Sequence, residues 1–399
     1  MKVLQINSVC GYGSTGRIAT DIYGVLKAKG HDCLIAYGRD KAPTGINSYR
    51  IGSDFDVYLH VLGTRIFDRT GFYSKKATSS FISRIEQYSP DVIHLHNLHG
   101  YYINIELLFN FLRKYNKPIV WTLHECWAFT GHCAYFSYAN CTKWETGCER
   151  CPQKKVYPAS YVFDNSGWNY ETKSRIFNSI EKMTIVTPSK WLAGLVSQSF
   201  LNRYRTVVIN NGIDVDKFKP VNRSSFRERN NLLDKFIVLG VASVWTERKG
   251  LADFIQLSKM LNDKYRIVLV GVGTKELRML PKNILCISRT NSVQELAEIY
   301  TASDVFVNPS KEESFGNVTV EALACGTPAI VYGVTGCAES VNKKSGIVVD
   351  IRDGVDGIYK AIQQLIKAPL KKEDVVARGR EYNNEDRFNE YLKLYSEIT

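Results

Sequence analysis

Two carboxylates, Glu313 and Glu321, stand eight residues apart in "KEESFGNVTVEALACGTPA", with Phe315-Gly316-Asn317 between them. The preceding "DVFVNPS" has the apolar run of a buried strand, and "NVTVEALACG" reads as a helix stopped by Gly326. Gly316 permits the positive φ of a tight turn. A strand, turn and helix in that order leave backbone N–H groups near Phe315, Gly316 and Asn317 with no intrahelical partner, and such groups bind anions. Glu313 then lies in the loop before the turn and Glu321 about one turn into the helix. The pattern suits an extended ligand with phosphate at its middle and hydroxyl-rich groups on either side. The plainer alternative is a solvated loop acid and an unrelated helix acid.

Other residues offer further chemistry. Arg248 and Lys249, in "ERKG", are fixed cations for a developing negative charge, or plain surface charges. His124 ends "PIVWTLH", at the carboxyl end of a strand. "HLHNLH" supplies His94, His96 and His99, and H-x-H at a strand end is also a metal pair in some hydrolases. That hydrolase reading needs another histidine on a later strand, and none lies beyond His132. Cys133, Cys141, Cys148 and Cys151 are spaced C-x7-C-x6-C-x2-C inside a segment, 125–170, that has no clear period. Four thiolates with a close C-x2-C pair suit a structural zinc; paired disulfides or packed free thiols are the alternatives.

These residues need a scaffold. Apolar strands alternate with amphipathic helices through both halves of the chain, from "KVLQIN" and "DCLIAYG" to "YRIVLVGVG" and "PAIVYG". That grammar predicts an α/β fold with two doubly wound, Rossmann-like parallel sheets covered on both faces. Ligands bind such sheets at the carboxyl ends of strands, so two in tandem predict a site in a cleft between them. The break falls near "NNGIDVDKFKPVNRSS". The domains are thus expected at 1–214, with the cysteine-rich insertion at 125–170, and at 215–378, with a helix in 379–399 returning to the first.

Composition limits the function classes. The 399 residues carry a net charge of +12 with no basic run interleaved with aromatics. That argues against nucleic acid and for a phosphorylated ligand or an anionic membrane surface. No run of 18 apolar residues spans a membrane, and the first residues lack the features of a signal peptide. A cytoplasmic protein, peripheral at the inner face of the membrane, is expected.

The segment "EESFGNVTVEALACGTPAIVYGVTGCAE" resembles the E-x7-E signature of family-4 retaining glycosyltransferases, which have the GT-B fold. "GYGSTGRIATDIYGVLKAKGH", "DVIHLHNLHG", "WTLHECWAFTGHC", "TPSKWLAG", "NNGIDVDKFKP", "ERKG" and "ASDVFVNPS" follow in family order, over nearly the whole chain. The resemblance implies a nucleotide-sugar donor, UDP- or GDP-linked, in the carboxy-terminal domain. Glu321 would bind ribose, Glu313 the donor sugar, and the Phe315–Asn317 backbone the sugar and diphosphate. Lys249 would meet the diphosphate, and Gly16, Arg248, Arg289 and Ser314 complete the donor set. His124 would touch the donor sugar, with His94 in the core and His96 or Asn97 on the acceptor side. Catalysis would need no cofactor, and the acceptor would be a saccharide, free or lipid-linked, of a surface polysaccharide. One departure stands out: the family arginine before the lysine is missing, and Ser243, Val244 and Trp245 fill that region. The alternative of a degenerate, binding-only protein rests on that loss.

Overall fold

A computed structural model describes all residues, 1–399, and they divide into two compact units. The first holds Met1–Asn210 and Arg387–Thr399, the second Asn211–Asp386.

In the first unit seven parallel strands follow in the chain as β1 (Lys2–Val9), β2 (Asp32–Arg39), β3 (Ser48–Arg50), β4 (Val92–Leu95), β5 (Ile119–Thr122), β6 (Met183–Thr187) and β7 (Arg205–Val208). Their order in the sheet is β3-β2-β1-β4-β5-β6-β7. In the second unit the strands are β8 (Phe236–Val241), β9 (Tyr265–Val270), β10 (Ile284–Ile287), β11 (Val305–Asn308), β12 (Ala329–Tyr332) and β13 (Gly346–Val349), ordered β10-β9-β8-β11-β12-β13. Both orders reverse direction once, between β1 and β4 and between β8 and β11. A doubly wound sheet binds ligands at that reversal, outside the strands' carboxyl ends.

Local sequence explains the covering helices. Asn104 caps Ile105–Tyr115 by accepting from the Leu107 N–H at 3.0 Å. Ile105, Leu108, Phe109 and Leu112, at helical spacing, form its buried stripe. Ser189 caps Lys190–Gln198 in the same way.

The returning segment begins at Arg387, later than the expected 379. Residues before it stay with the second unit because the Ile213 N–H donates to the Tyr382 carbonyl and the Asn384 N–H to the Ile213 carbonyl. From Arg387 on, the helix Asn384–Ile398 buries Phe388, Tyr391, Leu394 and Tyr395 against Val3, Ile18, Ile22 and Val120 of the first unit. Each buried side chain of this size stabilises by roughly 2 kcal/mol.

The helix Asp54–Phe67 was not apparent from sequence periodicity, and its packing explains why. Ser53 and Asp56 form a capping box at its start, and its buried positions are polar, His60 and Thr64. Its apolar residues Phe55, Tyr58, Leu59 and Leu62 are exposed instead.

Candidate functional site

The second unit builds its site on the loop after β11. Asn308 ends that strand, and the chain turns at Gly316, whose φ is 87°. The helix Asn317–Ala324 begins there with no side-chain cap, leaving first-turn N–H groups for a ligand. Phe315 is buried and packs edge-on against Tyr382 at 5.5 Å, so its ring anchors the loop and only its backbone is offered outward. Ser314 Oγ is buried without a hydrogen-bond partner, which marks a place where a polar ligand atom fits. The Asn211 amide donates to Asn317 Oδ1 at 3.0 Å and steadies the turn.

A second loop is pressed against the first. Gly250 has φ 76°, and a Cβ there would lie 2.5 Å from Pro309 Cγ. Only glycine lets the turn Glu247–Lys249 come this close. The Arg248 guanidinium donates to the Glu312 carbonyl at 2.5 Å, and the Lys311 N–H donates to the Arg248 carbonyl at 2.9 Å. Lys249 Nζ pairs with the Glu313 carboxylate. Glu313 is pinned through its backbone: its N–H donates to Thr335 Oγ1 at 3.1 Å, and its carbonyl accepts from the Gly336 N–H at 3.0 Å. Glu321 accepts from the hydroxyl of buried Tyr300 at 2.9 Å, and that bond together with burial raises the Tyr300 pKa.

Arg289 is exposed just beyond β10, at the sheet's edge. Three strand spacings, about 14 Å, separate that strand from β11. Ser243 and Val244 are exposed, while Trp245 is buried, its Nε1–H donating to the Val270 carbonyl at 2.9 Å. The missing arginine is thus replaced partly by a core residue.

The first unit offers a different edge. Gly11 and Gly13 have positive φ after β1, and buried Gly16 accepts the Gly11 N–H at 3.0 Å in the first turn of the helix Gly13–Ala28. Beside this loop a hydrogen-bond chain fixes the histidines. The Gln5 amide nitrogen donates to the Ala19 carbonyl, so its oxygen accepts from His96 Nε2–H at 3.0 Å. His96 Nδ1 is then an acceptor, and His124 Nε2–H donates to it at 3.1 Å. By this assignment His124 keeps its Nδ1 as an acceptor. Burial holds the pKa values of His94 and His96 well below 6.5 and pushes that of His124 down to about 3, so all three are neutral at pH 7. His94 is fully buried, bonded to Thr122 Oγ1 and to Tyr395 OH at 2.7 Å each. It is a core histidine, and nothing here supports a metal pair with His96. Asn97, half-buried, follows β4 and accepts through its carbonyl from Tyr102 OH at 2.8 Å.

Two residues next to this edge escaped sequence reasoning. Glu125, directly after His124, lies 3.0 Å from His99 Nε2 and accepts from the Trp127 N–H at 2.7 Å. Tyr157 OH lies 3.0 Å from His99 Nδ1. Adjacency to His124 was the available signal for Glu125; Tyr157 comes from 58 residues beyond His99.

The cysteine-bearing segment also has more core than its composition suggested. Phe129, Phe136 and Trp144 are buried together, with the last two stacked at 4.8 Å. All four cysteines are free thiols, and no three His, Cys, Asp or Glu side chains converge in metal-ligating geometry.

Comparison with known proteins shows the family. Residues 15–217, half the chain, match the model of Glycosyltransferase Family 4, and residues 235–368 match that of Glycosyl transferases group 1. WcaC of Escherichia coli (strain K12), named for colanic acid biosynthesis glycosyl transfer, is 23% identical over 423 residues and all of both chains. The capsular polysaccharide biosynthesis glycosyltransferase CapM of Staphylococcus aureus is 29% identical over 185 residues, 43% of this chain and 47% of CapM. Among solved structures, Anabaena Alr3699/HepE in complex with UDP-glucose superposes with a TM-score of 0.67 at 15% identity, covering 100% of each chain, a likeness of fold.

Proposed function

The chain belongs to glycosyltransferase family 4, and from that premise we propose that it moves a sugar, with retention, from a UDP- or GDP-sugar to a saccharide of a bacterial surface polysaccharide. The observation that carries the donor reading is the uncapped helix start at Gly316, flanked by Lys249 and Glu313 on one side and Glu321 on the other. The diphosphate would lie on the free N–H groups, with ribose hydroxyls on Glu321 and sugar hydroxyls on Glu313. The partnerless Ser314 hydroxyl gains a ligand partner in this arrangement. Arg248 stands where it can add a second cation, in place of the missing arginine. In the first unit, the neutral acceptor nitrogen of His124 would accept from a sugar hydroxyl.

The reaction balances without a further group. The acceptor hydroxyl attacks the anomeric carbon on the face the diphosphate leaves. The carbon–oxygen bond to phosphate breaks, the new glycosidic bond forms, and the hydroxyl proton passes to the departing phosphate oxygen. Negative charge grows on that phosphate, where Lys249 and the helix N–H groups are placed to stabilise it.

The names of WcaC and CapM support a polysaccharide acceptor. Peripheral membrane attachment, and with it a lipid-linked acceptor, is supported by the outward apolar face of the helix Asp54–Phe67. The Tyr161 and Phe163 N–H groups bond to the Arg65 and Ile66 carbonyls, and exposed Phe163 stacks on Phe67 at 5.7 Å, which widens that face. Exposed Arg65, Arg69, Lys75 and Lys76 lie close by in sequence. No helix is long and apolar enough to cross a membrane.

A screen of UDP- and GDP-sugars for thermal stabilisation, followed by transfer assays with the best donor, tests the reading. Stabilisation by one nucleotide family and loss of it in Glu321→Ala are expected. A protein that no nucleotide sugar stabilises, and that neither transfers nor hydrolyses a donor, would overturn it.

A further inference from the structure

The four cysteines of the irregular segment take no part in the donor chemistry, yet the fold gathers them. Cys133, Cys141, Cys148 and Cys151 all line one small cavity beside Trp144 and Pro152. Its volume, about 10 Å³, is roughly that of one water-sized sphere. The thiols of Cys133 and Cys151 are hydrogen-bonded to one another across it. Arg150 adopts φ 45°, and this left-handed residue reverses the chain between Cys148 and Cys151.

Backbone donors are aimed at the sulfurs. The Gly131 N–H donates to Cys148 Sγ at 3.1 Å, and the Gln153 N–H, two residues past Cys151, donates to Cys151. Thiols packed as small hydrophobes need no such donors, whereas hydrogen bonds of this kind favour charged sulfur. The sulfurs surround the cavity without having drawn in to coordination distance, so the residue types, the shared cavity and the N–H donors carry the inference.

We propose that this cluster binds one structural zinc ion through the four cysteine sulfurs. Soft sulfur ligands, four in number, match tetrahedral zinc in a closed site. Binding replaces four thiol protons, which pass to solvent, and leaves a four-thiolate complex of net charge −2. The ion would clamp residues 133–151 and hold the stretch that follows, in which Tyr157 meets His99, which lies against Glu125. Zinc is thus a positioning device for the edge of the first sheet and has no step in sugar transfer.

The test begins with metal analysis of the full chain purified under reducing conditions without chelator. About one zinc per chain is expected. Removing it with a strong chelator should lower the melting temperature, and added zinc should restore it. Cobalt in place of zinc should give the intense sulfur-to-metal absorption of a four-thiolate site. Cys141→Ser and Cys148→Ser should each lose most of the bound zinc, while Cys325→Ser, in the other unit, keeps it. The wild-type measurements stand even where a variant fails to fold. Fewer than about half a zinc per chain, with thiol reactivity and melting unaffected by chelator, would overturn the proposal, as would disulfides among these cysteines in the freshly purified protein.

Discussion

All seven histidines of the chain lie in the first unit, and the second has none. Where β4 and β5 end, the first unit presents neutral rings wired in series to Gln5, Thr122 and two tyrosines. Where β8 and β11 end, the second presents a lysine, carboxylates, a guanidinium and bare N–H groups. The sheets share their topology, so the strands do not set this contrast. On the proposed function it follows the ligand: a diphosphate needs positive field without water's reorganisation, while sugar hydroxyls need fixed acceptors that carry no net charge.

Acid should break the comparison most strongly. Burial holds the pKa of His60 near 3 and those of His94 and His96 well below 6.5. At these rings the unfolded chain therefore binds more protons than the folded one below pH 6.5, while His132, raised against burial by Asp68, works in the opposite sense. The stability these neutral rings contribute is complete above 6.5 and is lost as pH falls toward the folded values. At pH 5 the loss is roughly 2 kcal/mol for His60, and His94 and His96 add to it in the same direction. Calorimetry from pH 7 to 5 should show the first unit's transition falling well ahead of the second's; equal shifts of both would contradict it.

On the proposed function Lys249 faces the charge that develops on the leaving diphosphate, so Lys249→Ala should lower kcat by about 10²–10³. His124→Asn, at a residue proposed to meet a neutral hydroxyl, should cost less. The reverse ranking in transfer kinetics would undo the division of labour between the two edges. Glu321→Gln should weaken the free nucleoside diphosphate by about 10–100-fold in titration calorimetry, the worth of a charged hydrogen bond. Glu313→Gln should spare that affinity and slow only sugar-dependent steps; identical behaviour of the two variants would remove the distinction. The smallest effect is expected from Tyr395→Phe. It leaves His94 Nδ1 without its hydrogen-bond partner and should cost about 1–3 kcal/mol in urea unfolding while leaving nucleotide affinity unchanged.

The edge at Gly316 was largely legible in the sequence because it is local. A strand, a glycine turn and a helix stand in order within residues 305–324, and spacing alone placed Glu313 and Glu321 on either side of the turn. The histidine edge was only half legible. Position at a strand end marked His124, but the partners that fix its tautomer come from β1 and from just past β4, and one of His94's two partners comes from a helix some 300 residues later. Residues 54–88 gave no reading because one of their helices keeps its apolar stripe outward, so the pattern that normally reveals a core face was reversed. The core place of Trp245 depends on its bond to the Val270 carbonyl, a contact that spacing cannot reveal.

The helix that carries Tyr391 and Tyr395 gives the protein a schedule. During synthesis the seven strands of the first unit leave the ribosome early, but the hydroxyls that satisfy Thr122 and His94 do not yet exist. The whole second unit must be translated first, which at 5–20 residues per second takes roughly 10–35 s. Through that interval a face of the nascent sheet that includes Val3, Val120 and buried polar groups stays uncovered. The first half to be made is the last to be finished.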